Sequence, residues 1–367
     1  MIRTVIIGFA HMHVNEIALY IDGQPETALI GLSDIAPEIP ENTDKRYTRA
    51  WNLENVRKLS SAPVYPDYKE MLDELHPDWA YILCENNMKP EVALECAKRK
   101  VNVVVEKPMA ADLSGAELIA SLPSEYNVEV AVNWPVAWRK YLHVFKSAVD
   151  SEIVGKPIRL RYINGHTGPL GKGAKHRGVT AAAEEMTDDE RSRIWWYRSD
   201  CGGGAFLDIL CYGCYFTRWL LGRADRVIAC GANLGTPYAD SEDNTAAIFR
   251  FDKNSGRERM SVAEGSWTIP RAIVPAGPQL ICENGAVVCE GGADSGQHTE
   301  AYSLSGERLE LPESLPDDSM KNMPWHIAAH MKGKPLFEPL TPEFNLDVMR
   351  MLDAAIRSNA SGHEERP

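Results

Sequence analysis

A chain of 367 residues that is 44% hydrophobic can bury a large core, and at roughly 100–200 residues per domain two domains are expected. Charged residues make up 25% and no low-complexity tract occurs, which excludes disorder as a description of the whole. Thirty-nine Lys and Arg against 52 Asp and Glu give a formal charge of −13, so no basic surplus exists for binding nucleic acid or an anionic membrane face.

The first third alternates short apolar runs with helical patterns. A β-branched run at 4–7 ends at Gly8, a helix follows near 13–21, and a second run at 28–34 ends in Asp34. A polar–apolar helix pattern then leads to a short strand at Val64, a helix over 67–75 and a strand over 79–84. Another helix (91–98), a fifth strand (101–105), a helix (113–122) and a run at 128–132 complete the series. Near-continuous Val/Ile/Leu strands separated by helices predict a doubly wound parallel sheet, an α/β Rossmann domain over 1–125.

The rhythm then changes. One amphipathic helix (136–149) precedes short strand-like runs at 158–163, 227–230, 245–251, 259–263, 279–282 and 286–289. Strands without intervening helices predict an α+β second domain over 126–367, with a large, mostly antiparallel open sheet. Such a sheet would suit face-to-face packing into a homodimer or homotetramer. The Gly-rich stretch 165–189 predicts a long functional loop.

The eight cysteines match neither a zinc array nor a disulfide framework, and Cys211 and Cys214 sit in an apolar run as core thiols. His326 and His330 have the spacing of a zinc pair but lack its Glu and a third ligand, so no metal is expected. The opening apolar run is too short for a secretory signal and no stretch has transmembrane length; a soluble, cytoplasmic protein is expected.

Three features carry chemistry. The first strand–helix turn reads Gly8, Phe9, Ala10, His11, Met12, His13, where a dinucleotide turn wants G-x-G-x-x-G. Ala10 still admits a phosphate close to the backbone; His13 is a departure. Asp34 lies 21 residues past His13, at the end of the second strand, where a carboxylate accepts the ribose hydroxyls and repels a 2′-phosphate. NAD is therefore favoured over NADP, although the same Asp could instead cap the next helix.

The fifth strand ends in Glu106, Lys107 and Pro108. A lysine there points into the crevice beyond the strand ends. Desolvation should lower its pKa so that it can take a proton from a substrate hydroxyl. A solvated surface lysine is the alternative. Gly202, Gly203 and Gly204 lead into a helix that is apolar on nearly all sides and ends at Gly222. On it Asp208 and Tyr212 are four apart and share a face, as an acid/base group and a hydroxyl anchor, or as structural hydrogen-bonders.

In this order the three features resemble the glucose-fructose oxidoreductase, inositol dehydrogenase and MocA-like (Gfo/Idh/MocA) oxidoreductases, essentially end to end. The resemblance implies a Rossmann domain, Lys107 as the catalytic lysine, and Asp208 and Tyr212 as the polar positions of the active-site helix, Tyr212 standing where many members have His. The family's T-P-N-x-x-H segment is altered here: Asn86 survives and Lys89 replaces the His. Gly8 to His13, Asp34, Asn86, Glu106 and Lys107 are the expected cofactor contacts.

Trp134 and Trp138 could stack on a sugar face, and His166 and Arg198, with His176, Trp195 and Trp196, could form an aromatic and basic lid over a polyol. The expected activity is NAD-dependent hydride transfer from a secondary hydroxyl of a sugar, cyclitol or sugar derivative. The proton would pass to Lys107 or Tyr212 while Asp208 orients the hydroxyl. Two alternatives remain: transient oxidation that permits elimination across a glycosidic bond, and a non-catalytic nucleotide sensor.

Overall fold

Residues 1–252, 257–292, 295–312 and 316–367 are described by the structure, a computed structural model. Val/Ile-rich runs with side chains buried on both faces build the first sheet: β1 (Ile2–Ile7), β2 (Thr27–Ser33), β3 (Val64–Tyr65), β4 (Trp79–Ile82), β5 (Asn102–Glu106) and β6 (Val130–Asn133). All pairings are parallel and the order is β3-β2-β1-β4-β5-β6. Helices α1 (Val14–Asp22), α2 (Arg49–Leu59), α3 (Tyr68–Leu75), α4 (Lys89–Lys98) and α5 (Leu113–Tyr126) make the crossovers. The strand order reverses between β1 and β4, which opens a ligand crevice beyond their carboxyl ends. The last strand of this sheet lies past residue 125, where the sequence suggests the division.

After α6 (Lys140–Asp150) the chain forms an eight-stranded sheet. Its strands are β7 (Pro157–Gly165), β8 (Arg226–Ala232), β9 (Asn244–Phe251), β10 (Arg259–Ser266), β11 (Gln279–Cys282), β12 (Gly285–Gly292), β13 (Ser295–Ser303) and β14 (Arg308–Leu309). The order is β14-β13-β12-β11-β7-β10-β9-β8, and every neighbouring pair is antiparallel except β7 and β10. That parallel pair brings the ends of two distant strands to one edge of the crevice. Between β7 and β8 lie α7 (Asp188–Ser192), started by a Thr187/Glu190 capping box, and α8 (Cys211–Leu221). Two further helices, α9 (Met323–His330) and α10 (Pro342–Ser361), follow the second sheet.

The helix expected from residue 206 opens with a π-helical turn over Phe206–Leu210 before α8 begins. Such wide turns recur at functional sites. Beside the main core, a smaller apolar cluster joins Ala10, Met12 and Tyr47 of the first unit to Leu170, Trp195 and Trp196 of the second. No helix among the described residues is long and apolar enough to cross a membrane.

Candidate active site

β5 ends at Glu106, and Lys107, the next residue, is 2% exposed and joined to Pro108 by a cis peptide. Its Nζ donates to Oδ1 and to the backbone oxygen of Asp208, each at 2.9 Å. The ammonium also lies 4.7 Å from the centroid of the Tyr212 ring. A buried charge needs such partners. Burial pulls the lysine's pKa down, but the Asp208 carboxylate outweighs it and holds the group well above the ordinary range. The expectation of a lowered lysine pKa is thus reversed. At neutral pH Lys107 is an ammonium, a proton donor in its resting state.

Asp208 lies in the π-helical turn, its N–H bonded to Gly204 O at 2.9 Å. Its Oδ2 accepts from Trp267 Nε1 at 2.9 Å and lies 3.7 Å from His166 Nε2. Parallel register pairs Gly165 with Ser266, and His166 N–H donates to Ser266 O at 3.0 Å. The two residues that follow β7 and β10 thereby converge on one carboxylate. Burial raises the Asp208 pKa, and Lys107 and His166 more than reverse this, so the group is held far below the usual carboxylate range.

Tyr212 lies beside this pair. Burial pushes its phenol further up, and its ring packs under Lys107 and edge-on to Trp134, with centroids 5.3 Å apart. A phenol so placed keeps its proton at neutral pH.

At the other end of the crevice, Gly8 has φ +88°, and a Cβ there would sit 2.4 Å from Cys84 N, so only glycine lets the ends of β1 and β4 come this close. Asp34 Oδ1 accepts Phe9 N–H at 2.9 Å and Arg49 Nη1 at 2.6 Å. Thr48, not Asp34, occupies the N-cap position of the following helix, and its side chain makes no capping bond. Arg49 also pairs with Glu85, and burial pushes the nearby Glu41 up to about 7.

Phe9, Ala10, His11 and Met12 are each 2% exposed or less. Trp195 Nε1 donates to Ala10 O at 2.9 Å, Trp195 stacks on Trp196 at 3.8 Å, and His11 meets Trp196 edge-on at 4.7 Å. Behind them His176 packs on Tyr47, Tyr47 Oη donates to Ala181 O, and Lys45 pairs with Glu190. Of the residues expected to form a lid over a polyol, Trp195, Trp196 and His176 instead cover the β1–α1 turn and the approach to α2.

His11 Nδ1 accepts His13 N–H at 3.2 Å, leaving its buried Nε2 as a donor without a partner among the described residues. His13 Nδ1 lies 3.0 Å from Glu106 Oε1, and Glu106 Oε2 accepts from Asn133 at 2.7 Å. Ligand atoms of His11, His13 and Glu106 fall within 4.8 Å of one another, a grouping the sequence reading did not anticipate. Gly8, Asp34 and the unspent His11 donor fit a dinucleotide.

The other expected residues divide. His166 joins the Lys107–Asp208 group. Trp134 does not face a ligand: it is fully buried and its Nε1 donates to Asn345 Oδ1 at 2.7 Å, so its contribution is to back Tyr212. Trp138 donates to Asn133 Oδ1 at 3.2 Å. Arg198 pairs with Asp200 and is not among the partners of the central group. Asn86 Nδ2 donates to Gly202 O at 2.7 Å. Sequence reasoning missed Trp267, Arg49, Glu85 and the role of Lys89; only Lys89 left a signal, as a departure from the T-P-N-x-x-H pattern.

Residues 2–134 match the model of an oxidoreductase family with an NAD-binding Rossmann fold, and residues 145–287 match the GFO/IDH/MocA C-terminal domain. Myo-inositol 2-dehydrogenase of Thermotoga maritima is 24% identical over 202 residues, 54% of this chain and 53% of that protein. The match thus spans about half the length of this curated relative. Among solved structures, an Agrobacterium radiobacter oxidoreductase in complex with NAD+, L-tartaric acid and magnesium superposes with a TM-score of 0.73 at 14% identity, covering 100% of this chain and 98% of that one. Aldose-aldose oxidoreductase from Caulobacter crescentus, complexed with glycerol, gives 0.72 at 16% identity, covering 100% and 99%. The two matched domains together span most of the sequence, and the chain belongs to the Gfo/Idh/MocA family of NAD-binding oxidoreductases.

Proposed function

We propose that this protein transfers a hydride between a secondary hydroxyl of a sugar, cyclitol or sugar derivative and a nicotinamide dinucleotide. The single observation that carries the reading is the buried Lys107–Asp208 pair at 2.9 Å beyond the end of β5. Bound nicotinamide supplies the hydride acceptor or donor. Lys107 holds a proton at Nζ and donates it to the substrate oxygen when a carbonyl is reduced; in the reverse direction the alcohol proton goes to Nζ only once the ammonium has released its own proton to solvent. Asp208 fixes the direction of that ammonium, with Trp267 and His166 fixing Asp208. Tyr212 supplies its ring face beneath the ammonium.

For the cofactor, Asp34 and Glu85 set two carboxylates against Arg49, a field that disfavours a 2′-phosphate and supports NAD over NADP. The turn at 9–12 lies under Trp195 and Trp196, so entry of the dinucleotide requires that cover to lift. We place assembly through the outer face of the eight-stranded sheet, where Ile228, Ile248 and Ile281 are exposed, as a homodimer or homotetramer.

The test is a panel of sugars, sugar acids and inositols followed at the reduced-nicotinamide absorbance, with wild type and Lys107→Ala. Turnover in wild type and its loss in the variant, with NAD affinity kept, is the expected result. Near-wild-type turnover by Lys107→Ala would refute the role.

A further inference from the structure

Lys89 is the first residue of α4 and is completely buried, yet among the described residues its ammonium forms no ion pair. Instead it donates to Asn86 Oδ1 at 2.6 Å, Glu106 O at 2.7 Å and Pro108 O at 2.9 Å. An ammonium has three donors, and all three are used. Two of the acceptors are the carbonyls immediately before and after Lys107. The third, Asn86, donates onward to Gly202 O at 2.7 Å, and Gly202 opens the glycine stretch from which Asp208 is launched. One side chain therefore ties the strand end that carries Lys107 to the segment that carries Asp208.

We infer that Lys89 is a positioning residue whose ammonium sets Lys107 in register with Asp208. The inference rests on the reading of Lys107 as the proton-exchanging lysine. Packing alone does not require an amine here, since a methionine of similar length would fill the space without the desolvation that a buried charge suffers. Three converging acceptors do require it. Without Lys89, two backbone carbonyls and a side-chain amide oxygen would be buried unpaired, and the Glu106–Pro108 segment would be free to turn. Burial pulls the Lys89 ammonium down to about 8, so it still carries its proton at pH 7. Cys84, Glu106, Lys107 and Cys211 act on its charge, and it in turn acts on His11.

The experiment compares the full chain with its Lys89→Met variant in two ways. Trace labelling with acetic anhydride, read by peptide mass spectrometry, measures the reactivity of Lys107 relative to exposed Lys58. The relative rate at Lys107 should rise several-fold in the variant, because the lysine is no longer held against Asp208. In turnover assays kcat should fall about 100-fold, the cost of a small misplacement, while the KM for NAD stays nearly unchanged.

A merely structural lysine would lower the melting temperature and leave the relative labelling of Lys107 unchanged; that result overturns the proposal. If wild type moves no hydride with any polyol, the functional reading fails, and the labelling still decides the case for Lys89. Should Lys89→Met not fold, Lys89→Gln is read in the same two assays, with the same outcomes.

Discussion

Removing the Asp208 charge tests the pair on which the site is built. Asp208→Asn keeps the shape and leaves the Lys107 ammonium buried, 2.9 Å from a neutral amide. At an effective dielectric of about 20, the lost attraction at that distance is about 6 kcal/mol. Breaking a buried pair from one side costs about 3–5 kcal/mol once relaxation is included. Asp208→Asn should therefore lower unfolding stability by about 3–5 kcal/mol at pH 7, and Lys107→Met by a similar amount. The double variant removes both charges and should recover most of the loss, costing about 1–2 kcal/mol, so the two single losses together exceed the double's by a coupling of at least about 4 kcal/mol.

Urea unfolding of all four proteins, followed by circular dichroism, gives that number. The pH dependence has a definite sign. Asp208 is held below its ordinary pKa, so its contribution is present above about pH 4 and is lost as pH falls towards the folded value. Lys107 is held above its ordinary pKa, so its contribution is complete below about pH 10 and is lost only as pH rises through the folded value. The coupling should therefore be flat between about pH 5 and 9. Losses that simply add, within about 0.5 kcal/mol, would show that no such pair forms.

Asp34→Ala should weaken NAD about tenfold by removing a charged acceptor, and should narrow the gap to NADP because Arg49 loses one of its two carboxylates. Fluorescence titration with both dinucleotides checks this, and an unchanged preference would contradict it. Trp195→Ala removes the bond to Ala10 O and the stack on Trp196, and should speed NAD association in stopped flow. An association rate equal to wild type would mean that the cover is not in the entry path.

Much of the framework was legible because its causes are local. The Val- and Ile-rich runs of β1, β4 and β5 leave no alternative to buried strands, and Glu106, Lys107 and Pro108 at a strand end point a lysine into the crevice. Asp208 stood out because an acid inside an apolar helix needs a partner. The direction of the Lys107 pKa shift was not legible, since it depends on a 2.9 Å distance between residues that sequence separates by 101 positions. A Trp134 that could stack on a sugar face is indistinguishable in sequence from one in the core, because Asn345, which holds its indole nitrogen, is 211 positions away. Trp267 carries no motif; only the parallel pairing of β7 with β10 brings it to Asp208.

Between the end of β7 and the start of β8 the chain makes one long excursion, and nearly everything that shapes the crevice from the second unit is on it: Trp195, Trp196, the three glycines and Asp208. Both ends of this excursion are anchored in a sheet whose ladder it does not enter. Insertions and deletions in its first part, between residues 166 and 194 and ahead of the buried α8, would therefore remodel what the crevice admits while the rungs of the sheet stay in place.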